Sequence, residues 1–546
     1  MLRAISRNAR DFGRREDGGL ILFALFVLVI MLFTGGMAVD MMRYESARSR
    51  VQGTSDTAVL AAASMRQVLN AEDVITDYFD KAGLADNLVA VSSDDGLNYR
   101  TARVDTAINM RPYFMHMMGI NRLNSSGASA ALERRTNVEI AMVLDVSGSM
   151  INQPSRITNL KEAAAEFVEQ LLADDTENRV SISMVPYNGQ VILSQSLLNR
   201  FNVTLPNGEP NANCLQLATS TYNSLSISRT DPIPMAGYAD TFSNSYSGTT
   251  TPNTWLAPTS TSARPTPGNI WCNPRLANRI RVHQNDVDTM VPAVNALEAV
   301  GATSIDLGLK WGAYLLDPSS RQLVAELAAL GEVPGHFVGR PFDYDDPEAL
   351  KVVVLMTDGE HFAEERLNDA YKSGLSPIYR STGDGNYSIH HPTWTGSSNK
   401  YWTPHRNNGA GEWRSAPWDS GSGVVQLTWP QVWKQQRVKW VAWQLYARAL
   451  GNSNNTARTN MYNTWVNNFR SLTPTAEMDQ RLLTLCNEVK SRKIVIFGIA
   501  FEADPGGINV LRNCSSPDRF YDVQGLEIRT AFRQIRSQIS SLRLTQ

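Results

Sequence analysis

Net charge is scarce in this chain of 546 residues: 51 basic side chains face 53 acidic ones, leaving −2. A balance of that kind provides no global field, which argues against nucleic acid or strongly acidic substrates as partners. Cysteine is scarce too, with 4 in all: Cys214, Cys272, Cys486 and Cys514. Two absences are local. Residues 18–39 carry no charge, and residues 40–84 contain no proline. The length excludes one ordinary domain and is that of about three or four units.

The uncharged stretch runs Leu-Ile-Leu-Phe-Ala-Leu-Phe-Val-Leu-Val-Ile-Met-Leu-Phe through its centre. At about 1.5 Å per residue it matches the thickness of a bilayer core, so a membrane span over 18–39 is expected. A cleaved signal is the rival, but its apolar region is shorter, roughly 7 to 15 residues. Arg3, Arg7, Arg10, Arg14 and Arg15 precede the span, with Asp11, Glu16 and Asp17; Arg43, Arg48 and Arg50 follow it. That bias favours a cytoplasmic amino terminus over 1–17, with the bulk of the chain beyond the bacterial inner membrane, in the periplasm. All four cysteines follow the span, where disulfides persist. Pairing of sequence neighbours would join Cys214 to Cys272 and Cys486 to Cys514; the other two connectivities and four free thiols stay open. The proline-free stretch reads as an extended helix over 40–85, with a break near Gly53 and apolar Val68, Ala71, Ile75, Phe79 and Ala82 at helical steps. Residues 86–135 read as a small connector with short strands.

Residues 140–150 read Ile-Ala-Met-Val-Leu-Asp-Val-Ser-Gly-Ser-Met. An unalternating apolar run is that of a strand buried on both faces of a parallel sheet. Asp145, Ser147 and Ser149 then lie on the loop at its carboxyl end, where such sheets place ligands. One carboxylate and two hydroxyls form a hard oxygen cluster suited to Mg²⁺, with Mn²⁺ or Ca²⁺ as alternatives. Taken alone, the same residues also make an ordinary turn. Lys351 to Thr357 repeats the design and ends on Asp358, and a loop at Gly301-Ala302-Thr303-Ser304 precedes a helix from Ile305. Further elements are expected at Leu160–Leu171 (helix), Val180–Val185 (strand), Gln431–Leu450 and Met478–Lys490 (helices), Ile494–Ala500 (strand) and Ile528–Leu542 (covering helix). The whole is an α/β domain over 136–546 with two long insertions. The first, about 200–278, is rich in Ser, Thr, Asn and Pro and reads as a surface segment burying little apolar area. The second, about 361–428, holds Trp394, Trp402, Trp413 and Trp418, which serve either as a contact surface or as packing for a loop-rich subdomain. His361, His390 and His391 are read as bystanders.

Two resemblances follow from these residues. Arg-Arg-Glu-Asp-Gly-Gly before the span, Gly35 to Asp40 at its exit, Ala47 to Gln52, and Asp56-Thr57-Ala58-Val59-Leu60-Ala61-Ala62-Ala63 resemble the amino-terminal region of TadE/TadG-like proteins of the tight-adherence (Flp) pilus system. Asp145, Ser147 and Ser149, with Thr303 and Asp358, resemble the metal-ion-dependent adhesion site of a von Willebrand factor type A (vWA) domain. That resemblance implies a vWA-type, Rossmann-like sheet flanked by helices. It also implies a divalent cation whose open coordination position accepts a carboxylate from a protein partner, here pilin or a pilus assembly protein. Its rival keeps the fold and makes the ion structural, the protein serving as a scaffold. A haloacid-dehalogenase-type phosphatase is disfavoured because its general acid would stand at Ser147, which cannot act as one. A serine hydrolase lacks its G-x-S-x-G elbow here. Turnover is therefore not expected.

Overall fold

The computed structural model describes residues 17–545 except 65–66, 68, 96–98, 135–136, 174, 176, 245–254, 347 and 452–453. The segment expected to precede the span lies outside them, apart from Asp17, as does Val68. The chain divides into two units, residues up to 135 and residues 136–543.

In the first unit, helix α1 (Asp17–Ala63) is continuous over 47 residues. Leu20, Phe23, Phe26 and Met31 are exposed on it, and it is the one helix among the described residues long and apolar enough to cross a membrane. The break expected near Gly53 does not occur. One glycine costs a helix only about 1 kcal/mol, and Val51, Ser55, Ala58 and Val59, buried on either side of it, hold the register. Helix α2 (Ala71–Ala82) starts where Asn70 accepts the Glu72 amide and stops at Gly83, whose φ of 68° suits glycine. Strands β1 (Leu88–Asp95), β2 (Tyr99–Met110) and β3 (Leu123–Arg134) form an antiparallel sheet in that order. Ala58, Val59, Ala62, Ala71, Ile75, Phe79 and Val104 share one core. The helical stripe is thus buried within its own unit, and the expected connector, with two strands of 12 residues, is a wall of that core.

The second unit is built on a sheet whose strands are β4 (Asn137–Asp145), β5 (Val180–Tyr187), β6 (Arg281–Gln284), β7 (Ala349–Thr357), β8 (Val495–Phe501) and β9 (Phe520–Val523). Their order is β9-β8-β7-β4-β5-β6, all parallel except β6. Alternate residues feed two cores. Val138, Ile140, Met142 and Leu144 of β4 pack under helices α3 (Pro154–Ala173), α4 (Val287–Asn295) and α5 (Glu527–Thr545), through Leu160, Phe167, Met290, Phe532 and Ile535. Ala141 and Val143 pack with Val353 and Leu355 under α6 (Ile305–Tyr314), α7 (Thr475–Ser491) and α8 (Pro505–Cys514). Burial on both sides explains why these strands carry no alternation.

Both insertions leave the carboxyl edge of the sheet, one after β5 and the other after β7. The first is held by the Cys214–Cys272 disulfide, and Cys486 pairs with Cys514 between α7 and α8. Contrary to the surface reading, residues 191–235 bury Leu193, Leu215, Tyr222, Leu225, Ile227 and Met235 in the core of α6. Phe201 meets Trp311 edge-on at 5.7 Å. These apolar residues stand singly among polar ones with no fixed period, so composition hid them. The second insertion continues beyond 428 to Thr473. It folds around a five-stranded antiparallel sheet within 375–428, with a core of Trp402, Trp429, Trp433, Trp440 and Phe469. Trp402 is buried, and Trp394, Trp413 and Trp418 are half-buried, Trp394 stacked on Trp413 at 5.0 Å. Packing therefore accounts for them. The helix expected over 431–450 is divided: Trp429–Gln435 ends at an extended Gln436, and a second stretch from Val438 to Leu450 contains a π-turn at Ala442–Ala447.

Candidate metal centre

Strands β4 and β7 are neighbours from which the chain departs in opposite directions, β5 on one side and β8 on the other. A crevice forms at the carboxyl ends of such a pair. Asp145 ends β4 and Asp358 follows β7, so the topology alone delivers both carboxylates to one place.

Asp145 is fully buried. Its Oδ1 accepts the Ser147 amide at 2.8 Å, and its Oδ2 accepts the Thr357 hydroxyl at 2.7 Å. Tyr187 lies 3.4 Å from Oδ2 and donates to the Met356 carbonyl at 3.0 Å. The serine hydroxyls face the second carboxylate: Ser147 Oγ and Ser149 Oγ are 2.8 Å apart, and Ser149 donates to Asp358 Oδ1 at 2.6 Å, with Ser147 Oγ at 3.5 Å. Gly148 donates its amide to the Gly301 carbonyl at 2.9 Å, which lays the loop carrying buried Thr303 against the serine loop. Asp145, Ser147, Ser149 and Asp358 are thus joined by hydrogen bonds, and Thr303 stands on the adjoining loop.

Burial, reinforced by the charge of Asp358, pushes the Asp145 carboxyl well up from its ordinary value, against the pull of Thr357 and Ser147. Burial raises Asp358 as well, opposed by Ser149 and Arg156. A cation between the two would relieve the cost of charging Asp145, which burial and Asp358 both raise. No group of three or more His, Cys, Asp or Glu among the described residues is arranged to hold a metal, so an ion here depends on hydroxyls. Mg²⁺ bonds of about 2.1 Å at right angles would place adjacent ligand oxygens about 3.0 Å apart, within the 2.6 to 3.5 Å range of the spacings above. Ser147, Ser149 and Asp358 would hold the ion and Asp145 would supply charge, leaving it electrophilic.

Several participants were not read from the sequence. Thr357 anchors Asp145, and only its place in Thr-Asp-Gly hinted at it. Arg156 donates to Asp358 Oδ2 at 3.2 Å and to Glu502 at 2.8 Å, bringing a positive charge to the rim. Nothing in the local sequence marks it. His361 sits beside the site without facing it: Nδ1 donates to Asp479 at 2.7 Å, and Nε2 accepts the Asp306 amide at 3.0 Å. Against the effect of burial, Asp306 and Asp479 raise the ring to about 9, while the Asp306 amide directed at Nε2 opposes its protonation. A cleft of about 100 Å³ opens beside Gly301 and Ala302, walled by Phe242, Ile270, Trp271 and Phe362. A larger one, about 760 Å³, lies among Asn199, Asn207, Glu209 and Met235 and involves none of the site residues.

Sheet order, the antiparallel edge strand and the carboxylates at the crossover define a mainly parallel α/β domain, as the vWA resemblance implies, and the first unit carries the long apolar helix. Residues 18–65 match the family model described as putative Flp pilus-assembly TadE/G-like. Among solved structures, the chain is matched to three pilus proteins at low similarity. The vWF domain of a type V pili tip protein from Porphyromonas gingivalis is 12% identical, covers 74% of this chain and 96% of its own, and has a TM-score of 0.29. An adhesive tip pilin from Group B Streptococcus agalactiae is 11% identical over 74% of this chain and 99% of its own, at 0.30. A pilus adhesin from Streptococcus pneumoniae is 11% identical over 83% and 48%, at 0.29. Likeness at this level assigns no residue a role. No curated protein matches the chain.

Proposed function

We propose that this protein is a membrane-anchored, extracytoplasmic component of a tight-adherence (Flp) pilus system that binds a protein partner through a divalent cation held at Asp145, Ser147, Ser149, Thr303 and Asp358. The observation that carries the reading is the convergence of oxygens from Ser147, Ser149 and Asp358, 2.6 to 3.5 Å apart and backed by the buried carboxyl of Asp145. The TadE/G-like amino-terminal segment supports the pilus setting. The partner offers a carboxylate to the ion's open position, and Phe242 and Phe362 of the two insertions present apolar surface beside it. When bound, the cation polarises and holds that carboxylate; the chain's own residues orient the ion.

The test is co-purification of the full chain from membranes with and without chelator, with mass spectrometry of what is released. Asp145→Ala is expected to abolish the chelator-sensitive capture while leaving a folded domain. Capture unchanged by chelator in the wild type would remove the proposal. A scaffold with a purely structural or vestigial metal site is the second reading, and one observation favours the vestigial form: Arg156 already neutralises Asp358. A scaffold would keep its partners in Asp358→Ala and at every Mg²⁺ concentration.

A further inference from the structure

The segment between β2 and β3 departs from the rest of the first unit. It reads Arg111-Pro-Tyr-Phe-Met-His-Met-Met-Gly-Ile-Asn-Arg122 and includes a single 3-10 turn, Met115–Met118. Tyr113 is 69% exposed, Met117 72% and Met118 51%, with Phe114 and Ile120 each at 38%. A soluble loop seldom shows so many large apolar side chains together.

Its position on α1 accounts for them. Asp40, the first charged residue after the apolar run, accepts the amides of Tyr113, Phe114 and Met115 at 2.9, 2.7 and 2.8 Å. One helical turn earlier, Gly36 is covered by the Phe114 ring so closely that a Cβ there would lie 2.4 Å from it. Gly36 stands three residues inside the last uncharged position, about 5 Å deeper along the helix axis. Phe114 therefore shares the depth of the apolar run. Arg43 lies over the Tyr113 ring at 3.9 Å, and Arg111 and Arg122 are exposed at the two ends of the loop. An apolar tip, a tyrosine at the boundary and basic residues around them match the headgroup–acyl boundary of a bilayer.

We propose that residues 112–120 form an interfacial anchor that rests in the outer leaflet of the membrane α1 crosses. Asp40 is the pin that fixes the loop to the helix and so sets the depth and rotation of α1. The proposal rests on α1 spanning the bilayer, and its test separates the two.

The full chain, its disulfides intact, is reconstituted into phosphatidylethanolamine–phosphatidylglycerol vesicles with an NBD label on Met117→Cys, Leu28→Cys or Thr76→Cys. Nitroxide lipids labelled near the headgroup are expected to quench the position-117 probe by on the order of twofold, as for a helix or loop seated at the interface. Iodide should leave it unchanged. Position 28 should respond to lipids labelled deep in the chain, and position 76 to iodide alone. Asp40→Asn should raise iodide quenching in the Met117→Cys chain and, added to the Leu28→Cys chain, leave position 28 embedded. A position-117 probe quenched by iodide and blind to the nitroxide lipids, with position 28 still quenched by lipid, overturns the anchor and leaves the span. A probe at 117 shielded from both quenchers means that a protein surface covers the loop, which also overturns it. Iodide quenching at position 28 removes the span and the anchor together.

Discussion

Mg²⁺ added to the full chain in detergent is expected to stabilise the second unit, and Asp145→Asn to abolish that response while making the metal-free protein more stable. The first effect is mass action: an ion at a hundred times its Kd contributes about 2.7 kcal/mol. Roughly 400 residues unfolding with about 2.1 cal/mol/K each give an entropy near 0.85 kcal/mol/K, so the midpoint rises by about 3 °C. The second effect comes from the carboxylate pair, since a neutral side chain removes a buried repulsion on the order of 2 kcal/mol, or about 2 °C. Asn fits the same hydrogen bonds. Its oxygen keeps the Ser147 amide and its NH₂ donates to Thr357, whose hydroxyl then turns to the Gly359 carbonyl 3.2 Å away. The assay is intrinsic fluorescence on heating. All 12 tryptophans lie between Trp255 and Trp465, within the second unit, so the signal reports that unit alone. An equal Mg²⁺ shift in wild type and Asp145→Asn would refute the reasoning, as would no shift in wild type at saturating Mg²⁺.

Three more outcomes follow from particular contacts. Arg156→Gln removes a positive charge beside Asp358 and should tighten Mg²⁺ binding on the order of tenfold, read by calorimetry; weaker binding would mean that Arg156 positions the carboxylate. His283 is buried between Ser181 and the Leu315 carbonyl, and burial, aided by Arg340 and Lys351, lowers it to about 3. Its contribution to stability is complete above about pH 6.5 and falls as pH drops toward 3, by about 2 kcal/mol between pH 6.5 and 5. His283→Gln should flatten that window in denaturant titrations. Gly308→Ala places a Cβ 2.5 Å from Tyr187, the ring beneath Asp145, and should destabilise by about 1–3 kcal/mol and blunt the Mg²⁺ response in the same melting assay.

The strands that build the site were legible because burial on both faces leaves an unbroken apolar run, and because each run stops on a carboxylate. Asp145 and Asp358 are separated by hundreds of residues, yet strand ends in a parallel sheet converge, so their meeting needed only the topology. Thr357, Tyr187 and Arg156 act through contacts that only the folded sheet creates. Arg156 belongs to a different helical turn from the serine loop and carries no local mark. The insertions were misread where composition stood in for packing: Tyr222, Leu225 and Ile227 are core residues set in polar sequence. The division at Gln436 was hidden too, because Val432, Trp433, Trp440 and Val441 continue a helical period across an extended residue.

The two insertions leave the sheet on the edge that carries Asp145 and Asp358, so their outer parts form the surroundings of the site while residues 191–235 pack into the core beneath it. The candidate oxygen cluster and the surface around it thereby come from different stretches of chain. The outer stretches of the insertions, beyond the residues packed under α6, can diverge or lengthen while the strands beneath them stay unchanged. A lineage that meets a new partner would rewrite the rim and keep the strands beneath it.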